Sequence, residues 1–180
     1  PVAMYIAGAL GRRGFKVLVV DMDRQGTATR WFAQAKDGKE FPAQVSNLHA
    51  LGGTVHRELR NKIKDFHFVI VDCPPAIESA APSSALLVSD MAIIPFIPSV
   101  PDMWAVSDVD QLVERARITN ESLKARLLAT QKIRSSIGDD VIFALQESTG
   151  LELMSSSLRQ LAAFRECIDI GGTVHDVARA

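Results

Sequence analysis

The chain has 180 residues, of which 47% are hydrophobic and 23% charged, and its formal net charge is −1. That length and apolar content suit one globular domain with a sizeable core. The near-neutral charge excludes a chain-wide electrostatic grip on nucleic acid and leaves room only for a local basic patch.

Val2 to Arg13 sets Met4, Ile6, Ala7, Ala9 and Leu10 at helical spacing and ends in Arg12-Arg13-Gly14, a basic last turn with a glycine stop. The helix feeds Lys16-Val17-Leu18-Val19-Val20-Asp21, an aliphatic run that reads as a parallel strand buried on both faces. Gly26 supplies the tight turn after that strand, and Thr27 caps a helix over 27–35 with Trp31 and Phe32 as core anchors. Asp37-Gly38-Lys39 is turn chemistry, and 41–48 reads as a short strand despite Pro42. A Gly52-Gly53-Thr54 turn opens a helix over 55–65 whose Arg57, Glu58, Arg60, Lys62 and Lys64 form a solvated face.

Phe66 to Asp72 repeats the first strand's plan, an apolar run ending in an acid, and Cys73-Pro74-Pro75 stops it. A helix over 76–88, a strand over 91–96 and a helix begun by Pro101-Asp102 follow, the last with Met103, Val106, Val109, Leu112, Val113 and Ala116 on one face. The remainder reads as a strand over 125–130, a helix over 139–147, a strand over 151–154, and helices over 158–168 and 174–179. Strands alternating with helices predict a mostly parallel sheet sandwiched by helices, in a single domain spanning 1–180. Cys73 and Cys167 have no metal-binding spacing and read as reduced packing residues, and the Met91 to Val100 run is too short to span a bilayer. With no leader pattern at the start, these features predict a cytoplasmic protein.

Chemistry concentrates at strand ends. In open parallel sheets ligands bind outside the carboxyl ends of the strands, so Asp21, Asp23 and Asp72 are positioned to share one site. Three short acids there suit a hydrated divalent cation and a phosphate-bearing ligand. The bland alternative is that strand-terminal aspartates accept hydrogen bonds from the turns that follow them. The histidines lack HExxH spacing and no GxSxG elbow occurs, which disfavours metalloprotease and α/β-hydrolase chemistry. His67 reads as a strand-entry residue.

Three words, VLVVDMDRQGTATRW, FVIVDCPPAIES and LLVSDMAIIPFIPSVPDMWAV, stand in an order and at a spacing that resemble the ParA/MinD group of deviant-Walker ATPases, most closely the small ParA partition proteins. The resemblance runs over nearly the whole chain and implies a P-loop NTPase-like fold. Relatives place a strand and a glycine-rich phosphate loop before a helix like the one at 2–13, whereas this chain opens at that helix and contains no GxxxxGK segment followed by Ser or Thr. The expectation is therefore a domain with the first strand and phosphate loop absent, a processed chain or a fragment, with an unpaired flank beside the Asp21 or Asp72 strand. Gly8, Gly11 and Gly14 read instead as helix packing and its stop.

By resemblance, Asp23 is the catalytic aspartate that orients water at the γ-phosphate, Asp72 the Walker B acid that holds Mg²⁺ through water, and Asp21 a neighbour in the same shell. Thr130 and Gln131 stand where relatives contact adenine, and the loops near Gln25-Gly26-Thr27 and Pro74-Pro75 are where the family changes with nucleotide state. The resemblance further implies ATP and Mg²⁺ as cofactors, a homodimer, a ParB-like adaptor, and nonspecific DNA contacted by Lys132, Arg134, Arg159 and Arg165. Leu161 stands where relatives commonly carry an arginine. Such a protein would position plasmid or chromosomal DNA without a membrane. The alternatives are an inactive ParA-like binding module, or a MinD-like positioning ATPase, which 172–180 disfavours by lacking a basic amphipathic helix.

Overall fold

The computed structural model describes residues 2–36, 39–75, 79–131 and 136–177. Its elements follow the order α1 (Val2–Arg12), β1 (Val17–Asp21), α2 (Thr27–Ala33), β2 (Gln44–Asn47), a 3₁₀ segment (His49–Thr54), α3 (Val55–Lys62), β3 (Phe68–Asp72), α4 (Ala80–Leu86), β4 (Met91–Phe96), α5 (Val100–Arg117), β5 (Lys124–Ala129), α6 (Ser136–Ser148), β6 (Glu152–Leu153) and α7 (Ala163–Asp169). The chain forms two compact units, one from residues 1–85 and 161–180 and the other from 86–160. Among the described residues no helix is long and apolar enough to cross a membrane.

In the first unit the strand order is β2-β1-β3, all parallel. Its centre is β1, every residue of which is buried, as an uninterrupted aliphatic run requires. Around it Met4, Ala7, Val17, Val19, Ala28, Trp31, Phe41, Ala43 and Cys167 form the core. The close approach of α1 to the segment before β2 is made possible by small residues. A Cβ on Gly8 would meet the Thr173 methyl at 2.7 Å, and one on Gly11 would overlap the Pro42 carbonyl. Gly14, at φ 86°, ends the helix in the left-handed region, which is the glycine stop that the sequence suggests. His67 enters β3 as expected: its Nδ1 accepts from the Lys16 amide at 2.9 Å, and its own amide donates to the Lys16 carbonyl at 2.8 Å.

The strand β3 departs from the buried plan. Phe68 is exposed and Val69, Ile70 and Val71 are half-buried, because among the described residues β3 pairs with β1 on one side only. The unpaired flank therefore falls beside the Asp72 strand, and the Asp21 strand is central.

The second unit carries the parallel order β4-β5-β6 over a core that includes Ile94, Phe96, Val106, Val113, Leu127, Val141 and Leu145. Helix α5 buries Val106, Leu112, Val113 and Ala116, the face read from its spacing. Its start is fixed by Ser99, whose Oγ accepts from the Asp102 amide, and by Asp102, whose Oδ2 accepts from the Ile97 amide at 2.6 Å.

Several boundaries differ from the sequence reading. The predicted helix over 158–168 begins only at Ala163, because the Leu158 amide donates to the Ala129 carbonyl at 2.9 Å and extends the β5 ladder instead. Residues 174–177 form turns in place of the predicted helix. The Asp176 carboxylate accepts from both the amide and the hydroxyl of Thr173 at 2.7 Å, a local pairing that competes with helical bonding. The helix expected over 76–88 is confined to Ala80–Leu86 among the described residues, and the strand expected over 41–48 to Gln44–Asn47. Phe32 is exposed, whereas Trp31 is buried as expected. The turn assigned to Asp37-Gly38 lies outside the described residues.

Candidate nucleotide site

The register of β1 against β3 pairs Asp21 with Asp72, so two acids stand side by side at the carboxyl ends of adjacent parallel strands. The Met22 amide donates to the Asp72 carbonyl at 2.9 Å and carries the pairing one residue further, which brings Asp23 out at the same end. Asp23 then folds a tight turn. Its Oδ1 accepts from the Gln25 amide at 2.9 Å, its carbonyl accepts from the Gly26 amide at 3.0 Å, and Gly26 sits in the left-handed region at φ 63°.

The three carboxyls are not equivalent. Asp21 is fully buried, and its oxygens accept from the Asp23 amide at 3.1 Å, the Thr29 amide at 2.9 Å and the Thr29 hydroxyl at 2.8 Å. Thr27 therefore does not cap α2 with its side chain. The cap residue is Gly26, without a side-chain bond, and the carboxylate of Asp21 reaches across from β1 to satisfy a first-turn amide. Asp72 is half-buried, and burial pushes its carboxyl above the usual carboxylate range, with Asp21 and Asp23 adding to the shift. Beside it, burial and the Asp72 carboxylate push the Cys73 thiol up to about 12, away from the thiolate form.

Among the described residues no group of three or more His, Cys, Asp or Glu is arranged to hold a metal ion by itself. That donor set still fits Mg²⁺, which keeps most of its waters and takes one or two carboxylates together with substrate phosphates. The carboxyl whose surroundings most favour a nearby cation is Asp72, since neutralising it relieves both burial and like charge.

The other predicted site residues divide between the two units. In the second unit the Thr130 hydroxyl donates to the Phe96 carbonyl at 3.0 Å, and Gln131, exposed, adopts φ 49° at the end of β5. Arg159 is exposed in the second unit, and Arg165 is exposed on α7 of the first. Lys132 and Arg134 lie outside the described residues. Thr29 and Asn47 were not singled out from sequence. The available signal was a threonine eight residues after Asp21, and for Asn47 only the register that pairs it with Asp21.

The Asp72 environment gives a pH dependence with a definite sign. A carboxyl raised in the folded state binds its proton more tightly there than in the unfolded chain, so it contributes stability at low pH that is lost as pH rises from its ordinary value through the folded value. Asp72→Asn is therefore expected to stabilise the metal-free protein relative to wild type above that window, with the gap closing as the pH is lowered through it. Urea midpoints of both proteins at pH 4 and pH 8 measure this, and a gap that widened on acidification would contradict the assignment.

A parallel α/β unit with acids at the ends of neighbouring strands is an architecture that binds nucleotides. No family model matches the chain. It is 31% identical over 169 residues, 94% of this chain and 77% of the relative, to Maintenance of carboxysome distribution protein A from Halothiobacillus neapolitanus. Its fold is similar to that of Cyanthece apo McdA, with TM-score 0.74 and 13% identity, covering 97% of this chain and 86% of that one. It is similar as well to a putative plasmid partition protein from Borrelia burgdorferi B31 bound to AMPPNP, with TM-score 0.68 and 18% identity, covering 94% and 83%. The chain belongs to the ParA/MinD family of ATPases, as its sequence motifs suggest.

Proposed function

We propose that this chain is the ATPase domain of a system that distributes a large intracellular cargo. It would hydrolyse ATP with Mg²⁺ in a nucleotide-dependent homodimer and respond to an adaptor protein. The observation that carries the reading is the Asp21–Asp72 register together with the Asp23 turn, which gathers three acids at one end of a parallel sheet. In this reading Asp72 holds Mg²⁺ through water. Asp23 orients the attacking water with the carboxylate oxygen not used in its turn, and catalysis is positioning and electrostatics rather than covalent chemistry. Bound Mg²⁺ would neutralise charge developing on the phosphates.

The curated relative's name favours carboxysomes as cargo. Plasmid or chromosome partition, with a ParB-like adaptor and nonspecific DNA, is the second reading. It is favoured by the fold shared with the Borrelia plasmid partition protein. Arg159 and Arg165 are the candidate phosphate contacts among the described residues, and Lys132 and Arg134 complete the proposed set.

The test is ATP binding and Mg²⁺-dependent hydrolysis, measured on this chain and on the protein expressed from its complete reading frame. Asp23→Ala is expected to lower turnover by about 10²-fold while nucleotide still binds. If neither protein binds ATP, the enzyme reading fails and the chain is a partner-binding module of the fold. Salt-sensitive binding of random-sequence DNA, weakened when Arg159 and Arg165 are replaced, separates the partition reading from one in which DNA plays no part.

A further inference from the structure

We infer that Thr29 is a positioning residue for Asp23, acting through Asp21, and that Asp21 serves this latch in place of a metal. The inference rests on the reading of Asp23 as the water-orienting carboxylate. Asp21 is fully buried, and three donors converge on its two oxygens. One is the Asp23 amide on Oδ1 at 3.1 Å, and the other two are the Thr29 amide and hydroxyl on Oδ2 at 2.9 and 2.8 Å. The directions of these three donors fix the plane of the carboxyl group. The plane of Asp21 in turn sets where the Asp23 amide is held.

The hydroxyl of Thr29 is oriented from both sides. It donates to Asp21 and accepts from Asn47 Nδ2 at 3.4 Å, and the sheet register places Asn47 directly opposite Asp21. Strand β2, the end of β1 and the first turn of α2 are thus tied to one carboxylate. Immediately beyond it Asp23 uses Oδ1 for the Gln25 amide, and among the described residues Oδ2 accepts no hydrogen bond, leaving that oxygen for a water molecule. With its lone pairs engaged by the chain's own donors, Asp21 has little left to offer a cation, whereas Asp72 has no such set of donors among the described residues.

Thr29→Val keeps the branched shape and the backbone amide but removes the oxygen that Asp21 and Asn47 share. Hydrogen exchange at the Asp23 amide reads the latch directly, whether or not the protein hydrolyses ATP. Protection is expected to fall about tenfold in Thr29→Val and to return to within twofold of wild type in Thr29→Ser. In the ATP-hydrolysing protein, kcat should fall about tenfold in Thr29→Val with KM for ATP within twofold, again restored by serine. The Mg²⁺ concentration for half-maximal activity should stay at the wild-type value in Thr29→Val and rise in Asp72→Asn.

Wild-type protection at Asp23 in Thr29→Val, or failure of serine to restore it, overturns the inference. So does a rise in the Mg²⁺ requirement of Thr29→Val to match that of Asp72→Asn, which would return Asp21 to the metal. If Thr29→Val does not fold, Asn47→Ala, at an exposed position, decides by the same exchange measurement, with a loss of about threefold expected and wild-type protection counting against the latch. Absence of ATP hydrolysis with the exchange pattern intact would refute the ATPase reading and leave the latch standing.

Discussion

Trp31→Ala is expected to cost the protein about 3–5 kcal/mol of unfolding free energy, the range for removing a buried large aromatic side chain. Trp31 is 1% exposed on α2, and its ring lies edge-on to Tyr5 at 5.2 Å and to Phe41 at 6.3 Å between centroids. Its indole N–H donates to the Gly172 carbonyl at 3.0 Å, a bond made across the core from α2 to the C-terminal segment. Alanine removes the packing of the core and leaves that carbonyl without its donor, so the cavity and the orphaned acceptor act together. Trp31→Phe keeps most of the apolar volume and loses the hydrogen bond, for which about 1–2 kcal/mol is expected. Urea unfolding followed by far-ultraviolet circular dichroism gives both values. A loss below about 1 kcal/mol for Trp31→Ala would mean that the core closes over the gap and that the indole is not its anchor.

Gly11→Ala should destabilise by about 2–3 kcal/mol even though alanine is the better helix former by about 1 kcal/mol. The reason is contact, not conformation. Gly11 has an ordinary helical backbone, but its missing side chain is the space occupied by the Pro42 carbonyl group, and a backbone carbonyl cannot swing aside as a flexible side chain would. Gly14→Ala is the control. A Cβ there meets nothing within 4 Å, so its cost is the left-handed conformation at φ 86° alone, about 1–2 kcal/mol. Thermal denaturation of the three proteins separates the two causes. Equal losses would remove the distinction between close approach and turn.

The parts of the fold legible in the sequence are those where a single local pattern decides. The aliphatic run ending in Asp21 reads as a strand buried on both faces, and every residue of β1 is buried; the glycines of α1 read as packing and a stop, which is how Gly8, Gly11 and Gly14 act. Both acidic strand ends were visible for the same reason. Partners distant in the chain or fixed by register were not. Nothing near Leu158 in sequence announces that its amide is taken by Ala129, so a segment with good helical composition began its helix five residues late. The same blindness applied at the site, where an aspartate ending a strand reads alike whether it faces a cation or its own turn. Full burial and the donors from Thr29 and the Asp23 amide set Asp21 apart from Asp72.

The C-terminal segment that closes the first unit sets a condition on how the protein is made. Tyr5 donates to the Phe164 carbonyl at 2.6 Å, Arg12 donates to the Thr173 hydroxyl at 2.8 Å and pairs with Asp176, and Trp31 reaches Gly172. Residues 1–85 lack these partners until residues 161–177 have left the ribosome, whereas the second unit is drawn from one continuous stretch, residues 86–160. At about 5–20 residues per second the wait lasts roughly 5–18 s. The first half of the sequence is thus translated early and finished last. During that interval the aliphatic strand that ends in the candidate site stands without the indole acceptor, the tyrosine acceptor and the Cys167 side chain that complete its core.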